Sequence, residues 1–389
     1  MRLLGLALLF HLSRHQSLSS AEIVLVGLWS SEREWSKSLF CNHVRNDSAI
    51  TKISIQRASA FNFLKNISLI GEMKLLVHKC IIRQLTISSV RKFSKDVKEV
   101  KIPVPWGHIS GKWWGRTDIQ PLLGLHGWQD NAGTFDGVAP FLPDHISLFA
   151  IDFPGHGLSS WYPSSICYNT MQELLTIRRI VKHMGWERVS LLGHSMGSEI
   201  AFLYASVYPE ETETLIGLDL AKPVTAKPQR VLQKAGSIVE KVLQMHDINR
   251  EKSPRYTYSE LVERLHKGYK GSLSKDCCEI LLKRGKVQLP CGNYYYSRDP
   301  RLNASPALLS EYPLSLLMKL ASNIKCEVLN LKGKPGKDFE NPKYYHETID
   351  ILRKSAKRLE FHEVEGTHHF HLSNPRPTAD HIINFLSVK

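Results

Sequence analysis

The stretch GWERVSLLGHSMGSEIAFLYASVYPE, residues 185–210, constrains the fold more than any other part of the chain. Val189, Leu191 and Leu192 belong to a β-branched and aliphatic run short enough for a buried strand, whereas Ile200, Leu203, Tyr204 and Val207 recur every three to four residues, as on a helix. Strand gives way to helix at Ser195. The junction reads GHSMG, a G-x-S-x-G pattern with Gly193 and Gly197 two residues either side of the serine. A turn this sharp brings neighbouring backbone too close for a Cβ, which is why glycine is needed there. The bare pattern also occurs in ordinary loops; the strand before it and the helix after it make it a chemical signal.

The same alternation runs along the chain from about residue 96. VKEVKIPVPWGHISGKWWG reads as a hairpin and QPLLGLHG as a buried strand. A helical pattern over Thr134–Leu142, the strand SLFAID, a helix from Thr170 to Met184 and the strand VSLLGH come next, and TLIGLDLA (214–221) follows the elbow helix. CEVLNL (326–331), a helix over Tyr344–Ser355, RLEFHEVEG (358–366) and a last helix close the series. Strand and helix in turn predict an α/β fold with a mostly parallel sheet and helices on both faces. Residues 222–320 break the pattern with helical spacing and little strand signal, so they predict a helical insertion between core segments 96–221 and 321–389. Ligands in open α/β sheets bind beyond the carboxyl ends of the strands, so an insertion there serves as a lid.

Residues 1–95 carry no recognisable chemistry and read as a leader. MRLLGLALLF has the look of a signal segment, though too short to span a bilayer, and MKLLVHKCIIRQLTISSVRKFSK (73–95) has the basic, acid-free composition of a mitochondrial transit peptide. A leader without an address fits as well. The net charge of +14 raises the question of nucleic acid, but the first 100 residues hold 15 Lys/Arg against 7 Asp/Glu. The remainder is only mildly basic and shows no basic stripe with interleaved aromatics, so no nucleic-acid partner is expected. Seven cysteines at irregular spacing, with no C-x-x-C pair, indicate free thiols in a reducing, intracellular compartment, cytoplasmic or organellar. No membrane-spanning segment is expected.

Ser195 is a weak nucleophile unless a base takes its proton, and its attack on a carbonyl creates an oxyanion that needs N–H donors. The elbow offers the Met196 N–H, and the HGW turn after strand 120–127 offers that of Trp128. In DFPGHGLS (152–159), Gly155 and Gly157 mark a turn and His156 a loop residue. Trp128, Trp161, Tyr162, Tyr294, Tyr295, Tyr296 and Phe370 are candidates for either a pocket lining or the core.

With LHGW (125–128), DFPGHGLS, GHSMG and EGTHHFHLSNP (365–375) in this order, residues 97 to the C-terminus resemble the α/β-hydrolase family. Within it, HGWQDNAGTFD, the elbow and the RDPRL segment look most like the animal serine hydrolase-like proteins. The resemblance implies a base late in the chain, shortly after a glycine that ends the last strand. Gly366-Thr367-His368 has that spacing, which selects His368, and leaves His369 and His371 to packing or the surface. A zinc site on these histidines lacks an evident fourth ligand, so no metal is expected.

The acid departs from the family's spacing. The family pattern puts Asp where this chain has Gly336; Asp338 lies two residues on and is selected, with Asp219 and Glu340 as alternatives. The resemblance then implies a serine hydrolase that cleaves an ester, or an amide or thioester, of a small apolar substrate through an acyl-enzyme, with no cofactor. Relatives that open epoxides or remove halide use an Asp nucleophile, which Ser195 replaces. The competing reading is a binding protein that kept the fold and lost the chemistry.

Overall fold

The computed structural model describes residues 23–26, 39–42, 96–225, 228–245, 253–304 and 312–388. The chain divides into two units, residues 1–89 and 90–389. In the first, strand β1 (Ile23–Val26) pairs antiparallel with β2 (Leu39–Asn42); the rest of the expected leader lies outside the described residues.

The second unit is built on eight strands: β3 (Val97–Val104), β4 (Gly107–Trp114), β5 (Leu122–Leu125), β6 (Leu148–Ile151), β7 (Val189–His194), β8 (Thr212–Leu218), and, after the insertion's ribbon of β9 (Lys286–Gln288) and β10 (Tyr294–Tyr296), β11 (Glu327–Lys334) and β12 (Arg358–Glu365). Their spatial order is β12-β11-β8-β7-β5-β6-β4-β3. β3 and β4 form the expected hairpin, β4 runs antiparallel to β6, and every other neighbouring pair is parallel. β5 and β6 are buried along their whole length, as strands covered on both faces must be.

Successive residues of a strand point to opposite faces, and the core divides accordingly. Leu191, Leu215 and Val328 pack with Ile177 and Ile180 of helix α1 (Thr170–His183) and with Ile200 and Tyr204 of α2 (Met196–Val207). Leu192, Ile216 and Leu329 pack on the other face with Phe135 and Phe385. The Thr134–Leu142 segment is not one helix but two 3-10 turns, Ala132–Asp136 and Ala139–Phe141. Gly133, Gly137 and Pro140 account for this, because none supports continuous helix; the Asn131 side chain caps the start of the first turn by accepting from the Gly133 N–H.

The insertion holds α3 (Pro228–Gln244), α4 (Tyr258–Gly268) and α5 (Lys275–Gly285), and the β9–β10 ribbon, a pairing that its sequence signals poorly. Its boundary also differs from expectation. Helix α6 (Leu314–Ser322) belongs to the core, since Leu317 and Ala321 are buried in the α1–α2 cluster. The last two long helices are α7 (Pro342–Ser355) and, after the short α8 (Phe370–Ser373), α9 (Pro375–Ser387).

Among the polar ties that join the insertion to the core, two centre on buried aspartates. The Arg284 Nε donates to Asp152 at 3.0 and 3.2 Å, while Asp152 also accepts from the Ala132 and Leu158 N–H groups. The RDPRL segment is the second: Tyr168 donates to Asp299 at 2.7 Å, and the Asp299 N–H donates to the Gly155 carbonyl. DFPGHGLS is thus architectural, its Asp152 organising three segments. Removing one partner of a buried ion pair leaves the other uncompensated. Arg284→Ala is therefore expected to lower unfolding free energy by about 3 kcal/mol in urea titrations; a loss below ~1 kcal/mol would assign the pair no such role.

Candidate functional site

Strand register brings the site together. Leu125 is level with Gly193, His194 with Leu218, and Leu218 with Leu331, so the chain leaves β5, β7, β8 and β11 at one edge of the sheet. Ser195 sits at φ 52°, ψ −120°, a conformation that costs energy for any residue with a Cβ. The two glycines make the turn possible: a Cβ on Gly197 would lie 2.0 Å from the Leu125 carbonyl oxygen, and one on Gly193 2.4 Å from that of Gly197. Ser198 fixes the turn against β8, donating to the Gly193 carbonyl and accepting from the Leu218 N–H.

His368 follows β12. Its Nε2 lies 2.8 Å from the Ser195 Oγ and its Nδ1 2.5 Å from an Asp219 carboxylate oxygen. Asp219 is fully buried, and its other oxygen accepts from the Gly333 N–H at 2.9 Å and from Lys332 at 3.3 Å. The selected acid, Asp338, is not part of this arrangement. Its side chain is 52% exposed and lies 3.8 Å from the Lys332 ammonium, because the loop after β11 carries it outward. Glu340 is also excluded, held by Lys222 and by the backbone and hydroxyl of Thr225. Asp219 has a sequence signal: it is a lone carboxylate within the apolar run TLIGLDLA, and a buried carboxylate requires partners.

Met196 begins α2, where the first N–H groups have no acceptor within the helix, and Trp128 is the last residue of the HGW turn after β5. His126 and His156 belong to the scaffold: the His126 Nε2 accepts from the Phe153 N–H and that of His156 from the Gln129 N–H. Burial pushes the His126 pKa down to about 4.

Behind the Ser195–His368 pair lies a group of buried imidazoles, His369 and His371 from the EGTHHFHLSNP stretch and His194 from the elbow. His194 Nε2–H donates to the His368 carbonyl at 2.9 Å, His369 bonds Ser272 of the insertion at 2.6 Å, and His371 bonds Thr134 at 2.8 Å. Burial first, and then the neighbouring rings, lower the pKa of all three, keeping them neutral. His194 Nδ1 and an Asp130 oxygen, 3.9 Å apart, are buried without a hydrogen-bond partner. Among the described residues, Asp130, His194 and His369 are the group whose potential metal-ligand atoms converge, within 4.8 Å of one another.

Ser195 and His368 open into a cavity of about 590 Å³ between the core and α4 of the insertion. Trp128 lines it, together with Tyr269 and Phe339. The other aromatic candidates do not: Trp161 donates to the Ser297 carbonyl, Tyr162 packs with Tyr168 and Leu302, Tyr294 and Tyr296 pack within the insertion, and Phe370 is core. A larger cleft, about 720 Å³, lies at the opposite edge of the sheet among Gln120, Arg188 and Glu327, far from the serine.

An eight-stranded sheet of this order, with a strained serine after β7 and a histidine after β12, defines the class. The model of the alpha/beta hydrolase fold matches residues 120–374, and the chain belongs to that family. More particularly, it is 41% identical over 291 residues to the "Probable serine hydrolase" of Drosophila melanogaster, covering 74% of this chain and 87% of that one. It is 34% identical over 299 residues to human "Serine hydrolase-like protein 2", covering 75% and 94%. Among solved structures, a hypothetical protein from Pseudomonas aeruginosa PAO1 superposes with a TM-score of 0.66 at 29% identity, covering 75% of this chain and 99% of that one. The thioesterase domain from the curacin biosynthetic pathway, at 22% identity and a TM-score of 0.61, covers 74% and 99% and shares the fold. Among the described residues no helix is long and apolar enough to cross a membrane, and Cys167, Cys277, Cys278, Cys291 and Cys326 are free thiols.

Proposed function

We propose that this protein is a serine hydrolase that cleaves a carboxylic ester or thioester through an acyl-enzyme. The observation that carries the reading is the chain of contacts from the Ser195 Oγ through the His368 ring to Asp219, opening into a cavity. His368 Nε2 takes the hydroxyl proton as the Ser195 oxygen attacks the carbonyl carbon. The oxyanion is received by the Met196 and Trp128 N–H groups, and the leaving alcohol or thiol departs with the proton held on His368. Water, deprotonated by the same nitrogen, then attacks the acyl-serine, and His368 returns the proton to the Ser195 oxygen as the acid leaves. Asp219 keeps the Nδ1 proton in place and stabilises the imidazolium. No cofactor enters these steps.

The rival reading, a non-catalytic binding protein, drew its support from the missing carboxylate at position 336. Asp219 beside His368 counts against it. The deciding experiment is reaction of the full-length protein with a fluorophosphonate probe and peptide mapping of the adduct. Stoichiometric modification of Ser195 is expected; a protein that stays unlabelled is a binding protein.

A further inference from the structure

We propose that the substrate carries an anionic group, a carboxylate or phosphate, which Arg264, Lys270, Arg298 and Lys337 hold in the cavity. The inference rests on the hydrolase reading and revises the expectation of an apolar substrate. These four cations line the cavity that contains Ser195 and His368, and no Asp or Glu lines it. Among the described residues none of the four forms an ion pair.

Nearby carboxylates are committed elsewhere. Glu263 lies 2.7 Å from Lys275 and 3.4 Å from Lys267, Asp338 faces Lys332 and Asp219 faces His368, and Glu260, which feels the Arg264 charge one turn away, is held first by its capping box with Thr257. Asp130 lies behind the wall near Arg298, where burial pushes its pKa up to about 7, so at neutral pH it is a weak counter-charge. The cations are positioned by rings instead: Arg264 stands 4.7 Å from the Tyr256 ring centre, Arg298 4.3 Å from that of Tyr296 and Lys337 5.6 Å from that of Phe339. A ring face orients a guanidinium and leaves its N–H fork available for a carboxylate or phosphate. Lys270 occupies a left-handed turn at φ 51°, next to Gly271, on the insertion side of the cavity. Like charges gathered around one cavity repel each other, and an anion entering with the substrate relieves that repulsion. Trp128, Tyr269 and Phe339 leave room for an apolar portion beside it.

The anion can sit on the acyl group or on the leaving group, and two matched pairs distinguish these. One compares 4-nitrophenyl hemiglutarate with its neutral methyl ester; the other compares butanoyl-coenzyme A with butanoyl-N-acetylcysteamine. In at least one pair the anionic member is expected to have the higher kcat/KM by roughly tenfold or more at low salt, as a charge-assisted contact provides. The advantage should shrink in 0.5 M salt. The double substitution Arg264→Gln, Lys270→Gln should lower kcat/KM for the anionic member more than for the neutral one and bring the ratio towards one. Equal or better turnover of the neutral member in both pairs overturns the proposal, as does a ratio that the double variant leaves intact. Calorimetric titration of glutarate and of coenzyme A into the Ser195→Ala variant separates this from the hydrolase reading. Binding that the two further Gln substitutions weaken supports the anion site even where no ester is cleaved, and no binding of either ligand overturns it.

Discussion

Ser195→Ala is expected to abolish fluorophosphonate labelling and to lower kcat for ester hydrolysis by up to about 10⁶-fold, the size of the loss when a serine protease loses its nucleophile. The fold should not change. The turn is maintained by the close approaches at Gly193 and Gly197 and by the hydrogen bonds of Ser198, none of which uses the Ser195 hydroxyl. The hydroxyl's side-chain partner is His368. Alanine keeps the Cβ and bears the same backbone strain as serine, so thermal unfolding should move by only a few degrees. Activity on 4-nitrophenyl butyrate and labelling, both measured on protein of unchanged circular dichroism, provide the check. A variant that hydrolyses the ester at the wild-type rate would place the nucleophile elsewhere.

What was legible in the sequence was what a short stretch of chain determines. The elbow is local, because the strand, the two glycines and the apolar face of α2 lie within about 20 residues, and Ser195 could be named from them. The alternating strands and helices were visible for the same reason, as was the glycine before His368. The carboxylate beside His368 depended on something nonlocal, namely which of two adjacent strands, β8 or β11, delivers its following loop to the histidine. The two strands are paired, with Leu218 level with Leu331, so the loops after them are neighbours at one edge of the sheet. Spacing along the chain favoured the loop after β11, but it is β11 itself that serves Asp219 as a donor, through the Gly333 N–H, while the carboxylate of the loop, Asp338, points to solvent. The charge of the cavity was hidden in a similar way, because Arg264, Lys270, Arg298 and Lys337 are scattered over more than 70 residues and meet only when the insertion folds over the sheet edge.

The ranking of the two aspartates is the sharper test of the site. Asp219→Asn is expected to lower kcat by up to ~10⁴-fold, as neutralising a triad aspartate does, whereas Asp338→Asn should change it by less than about twofold. The amide keeps one oxygen, and the Gly333 N–H can still donate to it. If that oxygen stays with Gly333, the amide NH2 faces His368 Nδ1, and two donors cannot share a hydrogen bond. The ring then turns its lone pair to the amide and its proton to Nε2, the nitrogen that must accept from Ser195. Loss of the charge also removes what stabilises the imidazolium when His368 holds the serine's proton. Both effects act on kcat, so KM for 4-nitrophenyl butyrate should change little, and the rate of fluorophosphonate labelling should fall with kcat. Asp338 has neither contact; its neutralisation only frees Lys332 from an exposed neighbour 3.8 Å away. The opposite ranking would mean that the loop after β11 moves inward when substrate binds and that Asp338 supplies the charge. Indifference to both substitutions would leave Ser195 and His368 working as a pair, with Asp219 serving only to join the ends of β8 and β11.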